Sequence, residues 1–226
     1  MSRLTCTLLA VAFAATQAFA DTSGSGVGGA IPDDDAAGIN SVASVSANEI
    51  IKEVSVTVEG LTHSWGGDIS ITLTGPDNTS VDLVRRIGIA DGPKPTCCGT
   101  SGDYAGNYTF EDGGDDIWLA SYEMVGTSLL IVDPIPEGTY NPSTNNFDGV
   151  TGPGSPAPVV SFTTLGDAFA GGNTMGDWTL NVSDGAAADT GSFNGFTVSF
   201  VSNPVPEPTG FALLGFGLLG LIRRRR

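Results

Sequence analysis

The chain has 226 residues, of which 32 are glycine and 13 are proline, and only 15% are charged. This length suits one well-buried domain, the hydrophobic content is too high for a disordered chain, and the many turn-forming residues disfavour long helices. The formal net charge of −16 predicts a surface that repels nucleic acid and anionic lipid and that suits cationic partners, divalent cations or simple solubility.

Residues 1–20 have the pattern of a secretory signal peptide. An arginine near the start precedes an apolar run from Leu8 to Ala15, and the small-x-small sequence Ala18-Phe19-Ala20 ends the segment. This pattern predicts cleavage before Asp21 and export of the rest of the chain. The exported part up to residue 205 then keeps four basic and 24 acidic residues, so its net charge is near −20.

The middle of the chain, residues 30–202, has the pattern of an all-β domain. Large apolar residues alternate with Ser, Thr or Asn in Val54–Val58, Ile69–Leu73, Trp178–Val182 and Phe196–Phe200, and Ser128–Val132 and Val159–Thr163 are two further predicted strands. Strands with one polar face are typical of antiparallel sheets, so these segments predict a jelly-roll-like antiparallel β-sandwich. Gly75-Pro76-Asp77-Asn78 and Asn194-Gly195 are predicted to be turns. The preceding residues 21–29 are rich in glycine and serine and are predicted to be a flexible linker.

The only histidine, His63, lies between two predicted strands, with Ser64 beside it and Asp68 after it. A Ser-His-Asp hydrolase needs three groups that converge in space, and one histidine in a connecting loop without a hydrolase-type nucleophile does not provide them. We therefore predict that the chain is not an enzyme and has no catalytic residue. His63 and Asp68 flank the Gly66-Gly67 turn, and a hydrogen bond between them is predicted to fix this turn.

The stretch GDYAGNYTFEDGGDD is the main candidate for metal binding. Calcium takes six to eight oxygen ligands from carboxylates and carbonyls, and glycine lets a loop fold back so that carboxylates converge. The candidate calcium ligands are Asp103, Glu111, Asp112, Asp115 and Asp116, with Asp184 and Asp189 as a second candidate pair. The alternative is that the first five belong to a solvated acidic loop and that the second pair bonds backbone N–H groups of a turn. No other cofactor is predicted.

Two adjacent cysteines, Cys97 and Cys98, remain after Cys6 leaves with the signal peptide. They lack the CxxC spacing of a metal site. In an oxidising compartment they form either a strained vicinal disulfide or a bond to another chain. A catalytic thiol is disfavoured because the only histidine is far away in sequence.

One pattern runs through nearly the whole predicted sandwich, from Ala30 to Val201. Its centre is His63-Ser64-Trp65-Gly66-Gly67-Asp68-Ile69, followed by the turn Leu73-Thr74-Gly75-Pro76-Asp77-Asn78-Thr79. Further matching segments are Ile31-Pro32-Asp33, Gly38-Ile39-Asn40-Ser41, Asn107–Asp112, Gly176–Asp184 and Asp189–Phe193. The pattern resembles the P domain, or Homo B domain, of subtilisin-like proprotein convertases. The resemblance implies a β-sandwich, and in that family the catalytic domain is a separate module.

The last segment, residues 203–226, contains three distinctive elements in order. Pro206, Glu207 and Pro208 precede 14 uncharged residues, Thr209–Ile222, and the chain continues with Arg223, Arg224, Arg225 and Arg226. A helix of 14 residues is about 21 Å long against a hydrocarbon core of about 30 Å, which predicts a marginal membrane span with the arginines in the cytoplasm. This order resembles the PEP-CTERM sorting signal. The resemblance implies that an exosortase recognises the tail and cuts near Pro206-Glu207-Pro208.

These features predict an exported, non-catalytic β-sandwich that serves as a binding or structural module. The sorting signal is expected to bring it to the cell surface or the extracellular polysaccharide matrix, after transient anchoring in the inner membrane. The expected partners are an exosortase-type processing enzyme and a polysaccharide or surface protein, and no nucleic acid. One alternative is an accessory P domain that assists a separate subtilisin-like serine protease. A stand-alone hydrolase is the other alternative, and the context of His63 disfavours it.

Overall fold

The computed structural model describes residues 20–87, 99–125, 128–142 and 164–204. These residues form two facing β-sheets, a separate hairpin and two short helices. The helices are α1 (Ile117–Ala120) and α2 (Leu165–Phe169). The strands are β1 (Ala20–Ile31), β2 (Asp35–Val45), β3 (Glu49–His63), β4 (Ile69–Thr74), β5 (Ser80–Arg85), β6 (Tyr104–Asp115), β7 (Tyr122–Val125), β8 (Ser128–Ile131), β9 (Gly138–Tyr140), β10 (Gly176–Asp184) and β11 (Gly191–Pro204).

The strand order identifies the architecture. One sheet has the order β1-β11-β3-β6-β9, the other has the order β2-β10-β4-β5, and β7 pairs with β8. Neighbouring strands are antiparallel except β6 and the short edge strand β9, which are parallel. Without β9, four strands of one sheet face four strands of the other, and the chain crosses between the sheets as in a jelly roll. The predicted all-β, jelly-roll-like antiparallel β-sandwich is confirmed.

The core lies between the two sheets, where the inward-facing residues of both sheets are buried. Period-2 alternation places these residues on one face of each strand. Examples are Val54, Val56 and Val58 of β3 and Trp178, Leu180 and Val182 of β10. The Trp178 ring lies with its centroid 5.0 Å from that of Phe169 and 4.9 Å from that of Phe200. One side chain of the second sheet therefore joins α2 to the first sheet.

Most of the predicted strands are present. Val54–Val58 lies within β3, Ile69–Leu73 within β4, Trp178–Val182 within β10 and Phe196–Phe200 within β11, and the segment predicted to begin at Ser128 is β8. The segment Val159–Thr163 lies outside the described residues.

One of the two predicted turns is confirmed and the other is wrong. At the Gly75 turn, the N–H of Asn78 donates to the carbonyl of Gly75 at 3.0 Å. The predicted turn at Asn194-Gly195 instead lies inside β11, where Gly195 pairs with Val27 on one side and Glu59 on the other. The reason for the glycine is close packing, since a Cβ at Gly195 would lie 2.6 Å from the carbonyl oxygen of Gly26.

The predicted flexible linker at residues 21–29 is also wrong, because these residues belong to β1 and pair with β11 along their length. The glycines allow a close approach to neighbouring residues. A Cβ at Gly26 would lie 2.4 Å from Cε1 of Phe196, and one at Gly28 would lie 2.1 Å from the carbonyl oxygen of Phe193. Glycine here fits the strand against large residues of β11 rather than providing flexibility.

Two tyrosines of β6, Tyr104 and Tyr108, are buried. The rings of Tyr104 and Tyr108 meet edge to face, with centroids 5.0 Å apart. The Tyr108 hydroxyl donates to the carbonyl of Ile135 at 2.8 Å, whereas the buried Tyr104 hydroxyl has no partner among the described residues. Burial raises the pKa of Tyr108 to about 12 and raises the pKa of Tyr104 well above its ordinary value.

Stability is therefore expected to fall under alkaline conditions. A phenol whose pKa is higher in the folded state destabilises that state as pH rises above the unfolded-state pKa of about 10. Unfolding in urea at several pH values should give full stability below about pH 10 and a progressive loss towards pH 12 and above. Tyr104→Phe should leave neutral stability unchanged or higher and reduce the alkaline loss, whereas Tyr108→Phe should cost about 1 kcal/mol at neutral pH. Equal alkaline loss in Tyr104→Phe and the unchanged protein would contradict this assignment.

Candidate functional site

The histidine and an aspartate form a buried pair at one end of the sandwich. His63 is the last residue of β3 in the five-stranded sheet, and Asp184 is the last residue of β10 in the four-stranded sheet. Nε2 of His63 donates to Oδ2 of Asp184 at 3.1 Å, and both side chains are fully buried. The other ring nitrogen, Nδ1, lies 2.9 Å from the carbonyl oxygen of Trp65. The pair links the two sheets where their strands end.

Asp68 forms an ion pair with Arg86 next to this hydrogen bond. It lies in a turn of 3-10 helix, Gly66–Asp68, and its Oδ1 accepts from a terminal nitrogen of Arg86 at 3.4 Å. Nε of Arg86 also donates to the carbonyl of Gly67 at 3.2 Å. Burial, and then the nearby carboxylate of Asp184, raise the pKa of Asp68 above its ordinary value, although Arg86 opposes the shift.

The predicted hydrogen bond between His63 and Asp68 is therefore wrong in its partner. His63 bonds Asp184, and Asp68 bonds Arg86, because the 3-10 turn directs the Asp68 carboxylate towards the arginine. Both residues lie at the connection between β3 and β4.

Ser64 does not join His63 in a catalytic arrangement. Its hydroxyl donates to Oδ1 of Asp189 at 2.8 Å, whereas the contacts of the His63 ring nitrogens are with Trp65 and Asp184. A general base must reach the proton of its nucleophile, and a fully buried imidazole bonded at both nitrogens has no free nitrogen to do so. The contacts of His63 with Trp65 and Asp184 instead fix the geometry of this end of the sandwich.

The acidic stretch predicted to be a calcium loop is mostly strand. Residues 104–115 form β6, so Asp103 precedes the strand and Asp116 follows it. Asp103 and Glu111 are eight steps apart along extended chain, which at about 3.3 Å per residue separates their Cα atoms by roughly 26 Å. The predicted convergence of the five carboxylates on one folded-back loop is therefore wrong.

Two of these carboxylates cap helices. Oδ1 of Asp112 accepts from the N–H of Leu165 at 2.9 Å, and Oδ2 accepts from that of Gly166 at 2.6 Å, both at the start of α2. Oδ1 of Asp116 accepts from the N–H of Trp118 at 2.8 Å in the first turn of α1. These contacts satisfy N–H groups that a helix end leaves without a partner.

The remaining candidates lie near the buried pair. Oδ1 of Asp184 accepts from the N–H of Ala186 at 3.0 Å, which agrees with the alternative that this residue bonds the backbone of a turn. Burial, followed by the carboxylates of Asp133 and Asp189, raises the pKa of Asp103. Across residues 20–87, 99–125, 128–142 and 164–204, no group of three or more His, Cys, Asp or Glu side chains is arranged to hold a metal ion. Calcium binding by the chain stays a prediction that these positions do not support.

Other predicted sites lie outside the described residues. They are Cys97 and Cys98, most of the signal peptide, and the sorting-motif residues Pro206, Glu207, Pro208 and Arg223–Arg226. Within the described part of the chain, no helix is long and apolar enough to cross a membrane.

Sequence reasoning missed two partners in this region, Asp184 as the partner of His63 and Arg86 as the partner of Asp68. A signal for Asp184 was present, since it continues the inward-facing series Trp178, Leu180 and Val182 of β10. A carboxylate at an inward position needs a charged or hydrogen-bonding partner, and the chain offers one histidine.

Comparison with known families identifies the C-terminal tail. Residues 204–226 match the PEP-CTERM protein-sorting motif, in agreement with the resemblance seen in the sequence. This motif indicates export, transit through a membrane-anchored state and display at the cell surface, and it implies recognition by an exosortase-type processing enzyme. No protein with a curated description matches the chain.

Two solved structures match the chain over much of its length. The serine protease of Aeromonas sobria in complex with a chaperone is 13% identical, with a TM-score of 0.41, and the match covers 78% of this chain and 25% of that one. The serine protease of Aeromonas sobria alone is 11% identical, with a TM-score of 0.39, and the match covers 77% of this chain and 24% of that one. The chain spans about a quarter of the length of these proteins.

Proposed function

We propose that the chain is a non-catalytic β-sandwich that acts as a binding or structural module at the cell surface or in the extracellular polysaccharide matrix. The observation that carries the proposal is the fully buried pair of His63 and Asp184. The chain has one histidine, and this histidine holds two sheets together instead of facing solvent beside a nucleophile. The PEP-CTERM motif supports the cell surface as the destination of the chain.

The outer face of the five-stranded sheet supports a binding role. Ser25, Thr197, Thr57 and Thr109 lie in register across β1, β11, β3 and β6. Their hydroxyls meet in two pairs, with 3.1 Å between Ser25 and Thr197 and 2.9 Å between Thr57 and Thr109. Such a row presents donors and acceptors at the spacing of the strands, about 4.8 Å. A polar partner, such as a polysaccharide or the surface of another protein, suits this face.

A groove adjoins this hydroxyl row. It has a volume of about 530 Å³, and its lining includes Lys52, Glu53, Ser55, Glu111 and Ser199. The volume lies in the range of small-molecule sites, and the charged residues of the lining are mostly acidic. Sugar hydroxyls or a cationic group would find hydrogen-bonding partners here.

The P-domain resemblance supports the second candidate, an accessory module for a separate subtilisin-like protease. It rests on the segment His63–Asp68 and the turn that follows β4 in sequence. In this role the chain would bind the protease and would still have no catalytic residue of its own.

The proposal is tested with the processed protein recovered from the surface or medium of its host. The protein is incubated with casein and a peptide panel, and separately with immobilised extracellular polysaccharide and secreted proteins of the same host. We expect no cleavage, and retention on the polysaccharide or a surface protein. Retention on a subtilisin-like protease would instead favour the accessory role. Cleavage activity that co-elutes with the chain through every purification step would contradict the non-catalytic assignment.

A further inference from the structure

The two ends of the described sandwich lie side by side. β1 begins at Ala20, next to the predicted signal-peptide cleavage site, and β11 ends at Pro204, the first residue of the PEP-CTERM match. These strands are antiparallel neighbours, and Ala20 pairs with Ser202. The sites of both expected processing events therefore adjoin the same end of one sheet.

One carboxylate binds both strands at this end. Oε2 of Glu49, the first residue of β3, accepts a hydrogen bond of 2.6 Å from the Thr22 hydroxyl of β1. The same oxygen accepts a hydrogen bond from the Ser202 hydroxyl of β11. Ser202 is fully buried, and hydrogen bonding by Ser202 and then Thr22 lowers the pKa of Glu49. We call Glu49, Thr22 and Ser202 the terminal clasp.

Glu49 is itself held firmly from the other side. Its N–H donates to the hydroxyl of Thr174 at 3.1 Å, and its carbonyl accepts from the N–H of Thr174 at 3.0 Å. Thr174 is fully buried and also donates to the carbonyl of Ala47 at 2.6 Å. The Glu49 carboxylate therefore extends from a backbone that Thr174 holds in place. Through the clasp, this backbone restrains the start of β1 and the end of β11.

The clasp lies where the pairing of β11 is irregular. The register between β11 and β3 shifts between Val201 and Ser202, and beyond that shift the last paired residues are Asn203 and Pro204. Proline supplies no N–H to a strand, so backbone bonds alone hold this end weakly. Charge-assisted hydrogen bonds, which the hydroxyls of Thr22 and Ser202 donate to the Glu49 carboxylate, stabilise the strand end at this position.

We propose that Glu49 is a positioning residue for C-terminal processing, which keeps β11 paired up to Pro204 and so confines the cut to the residues that follow. Peptidases act on chain that has opened from secondary structure, and a strand held in a sheet is protected. The sorting motif begins at Pro204, the residue where the strand ends, so the clasp sets the C-terminal limit of the protected strand. This inference rests on the proposed processing of the tail.

The test compares full-length variants expressed in the native host. The processed protein is isolated from the surface and medium, its C-terminal residue is read from intact mass, and hydrogen exchange is measured at residues 200–203. Glu49→Ala should speed exchange there roughly tenfold or more and yield additional chains that end before Pro204. Glu49→Gln keeps an oxygen that can accept from both hydroxyls, so it should retain the single C-terminus of the unchanged protein.

Two further variants guard against a general loss of folding. Ser202→Ala removes only the hydroxyl on β11 and should give the same additional chain ends as Glu49→Ala. Glu59→Ala removes a comparable hydrogen bond of 2.8 Å, which the Thr197 hydroxyl donates to Glu59 in the middle of β3 and β11. This variant should leave the C-terminus unchanged. Identical C-termini in Glu49→Ala, Ser202→Ala and the unchanged protein would overturn the role of the clasp. Retention of the arginine tail in the unchanged protein would instead overturn the processing on which it rests.

Discussion

Replacing His63 with alanine is expected to lower the free energy of unfolding by about 3–5 kcal/mol, because it leaves the buried carboxylate of Asp184 without its partner. Both side chains of the pair are fully buried, so loss of the imidazole leaves a cavity beside the Asp184 carboxylate. Urea unfolding of the processed protein at neutral pH measures the change. Far-ultraviolet circular dichroism of the variant checks that it still folds.

A double variant separates the buried charge from the lost packing. His63→Leu combined with Asp184→Leu removes both polar side chains and fills much of the same volume, and such replacements of a buried pair are often neutral or stabilising. The double variant should therefore be more stable than His63→Ala. A loss below about 1 kcal/mol for His63→Ala would contradict the pairing, since leaving a buried charge unpaired costs more than that.

Replacing Trp178 with alanine is expected to cost about 3–5 kcal/mol, as for other large buried aromatic residues. The ring touches Phe169 of α2 and Phe200 of the opposite sheet, and its Nε1 donates to the carbonyl of Thr174 at 2.9 Å. The substitution would thus leave a cavity where α2 and the two sheets meet. Trp178→Phe should cost less, because it keeps an aromatic ring in the cavity and loses the hydrogen bond.

Thr179→Ala is the matched control for Trp178. It lies beside Trp178 on β10 with its side chain on the other face of the strand, so its replacement should change stability by no more than about 0.5 kcal/mol. Equal losses in the Thr179 and Trp178 variants would show that β10 as a whole is sensitive, and would contradict the role given to the Trp178 ring.

The fold could be predicted from the sequence because antiparallel strands with one solvent-exposed face have apolar and polar residues in alternation. Trp178, Leu180 and Val182 show this pattern and lie in β10, as expected. β1 was missed for the opposite reason. Its glycines leave no alternation to detect, and their role appears only when the rings and backbone of β11 lie against them.

The contacts of the candidate site were less accessible, because they join residues far apart in the chain. His63 and Asp184 are separated by 121 residues, and the sequence alone ranked the nearer Asp68 as the partner. Asp112 shows the same limit, since a run of acidic residues with glycines between them resembles a calcium loop. Only the position of α2 shows that this carboxylate caps a helix 53 residues away.

Intact-mass measurement of the protein on the surface or in the medium of its native host tests the central claim, an exported sandwich released from a sorting tail. We expect a chain that begins at Asp21 and ends between Val205 and Glu207, just beyond the last residue of β11. The loss of both terminal segments would leave the strongly acidic sandwich as the mature protein. A surface-exposed species that still carries Arg223–Arg226 would contradict this account and make the tail a permanent anchor.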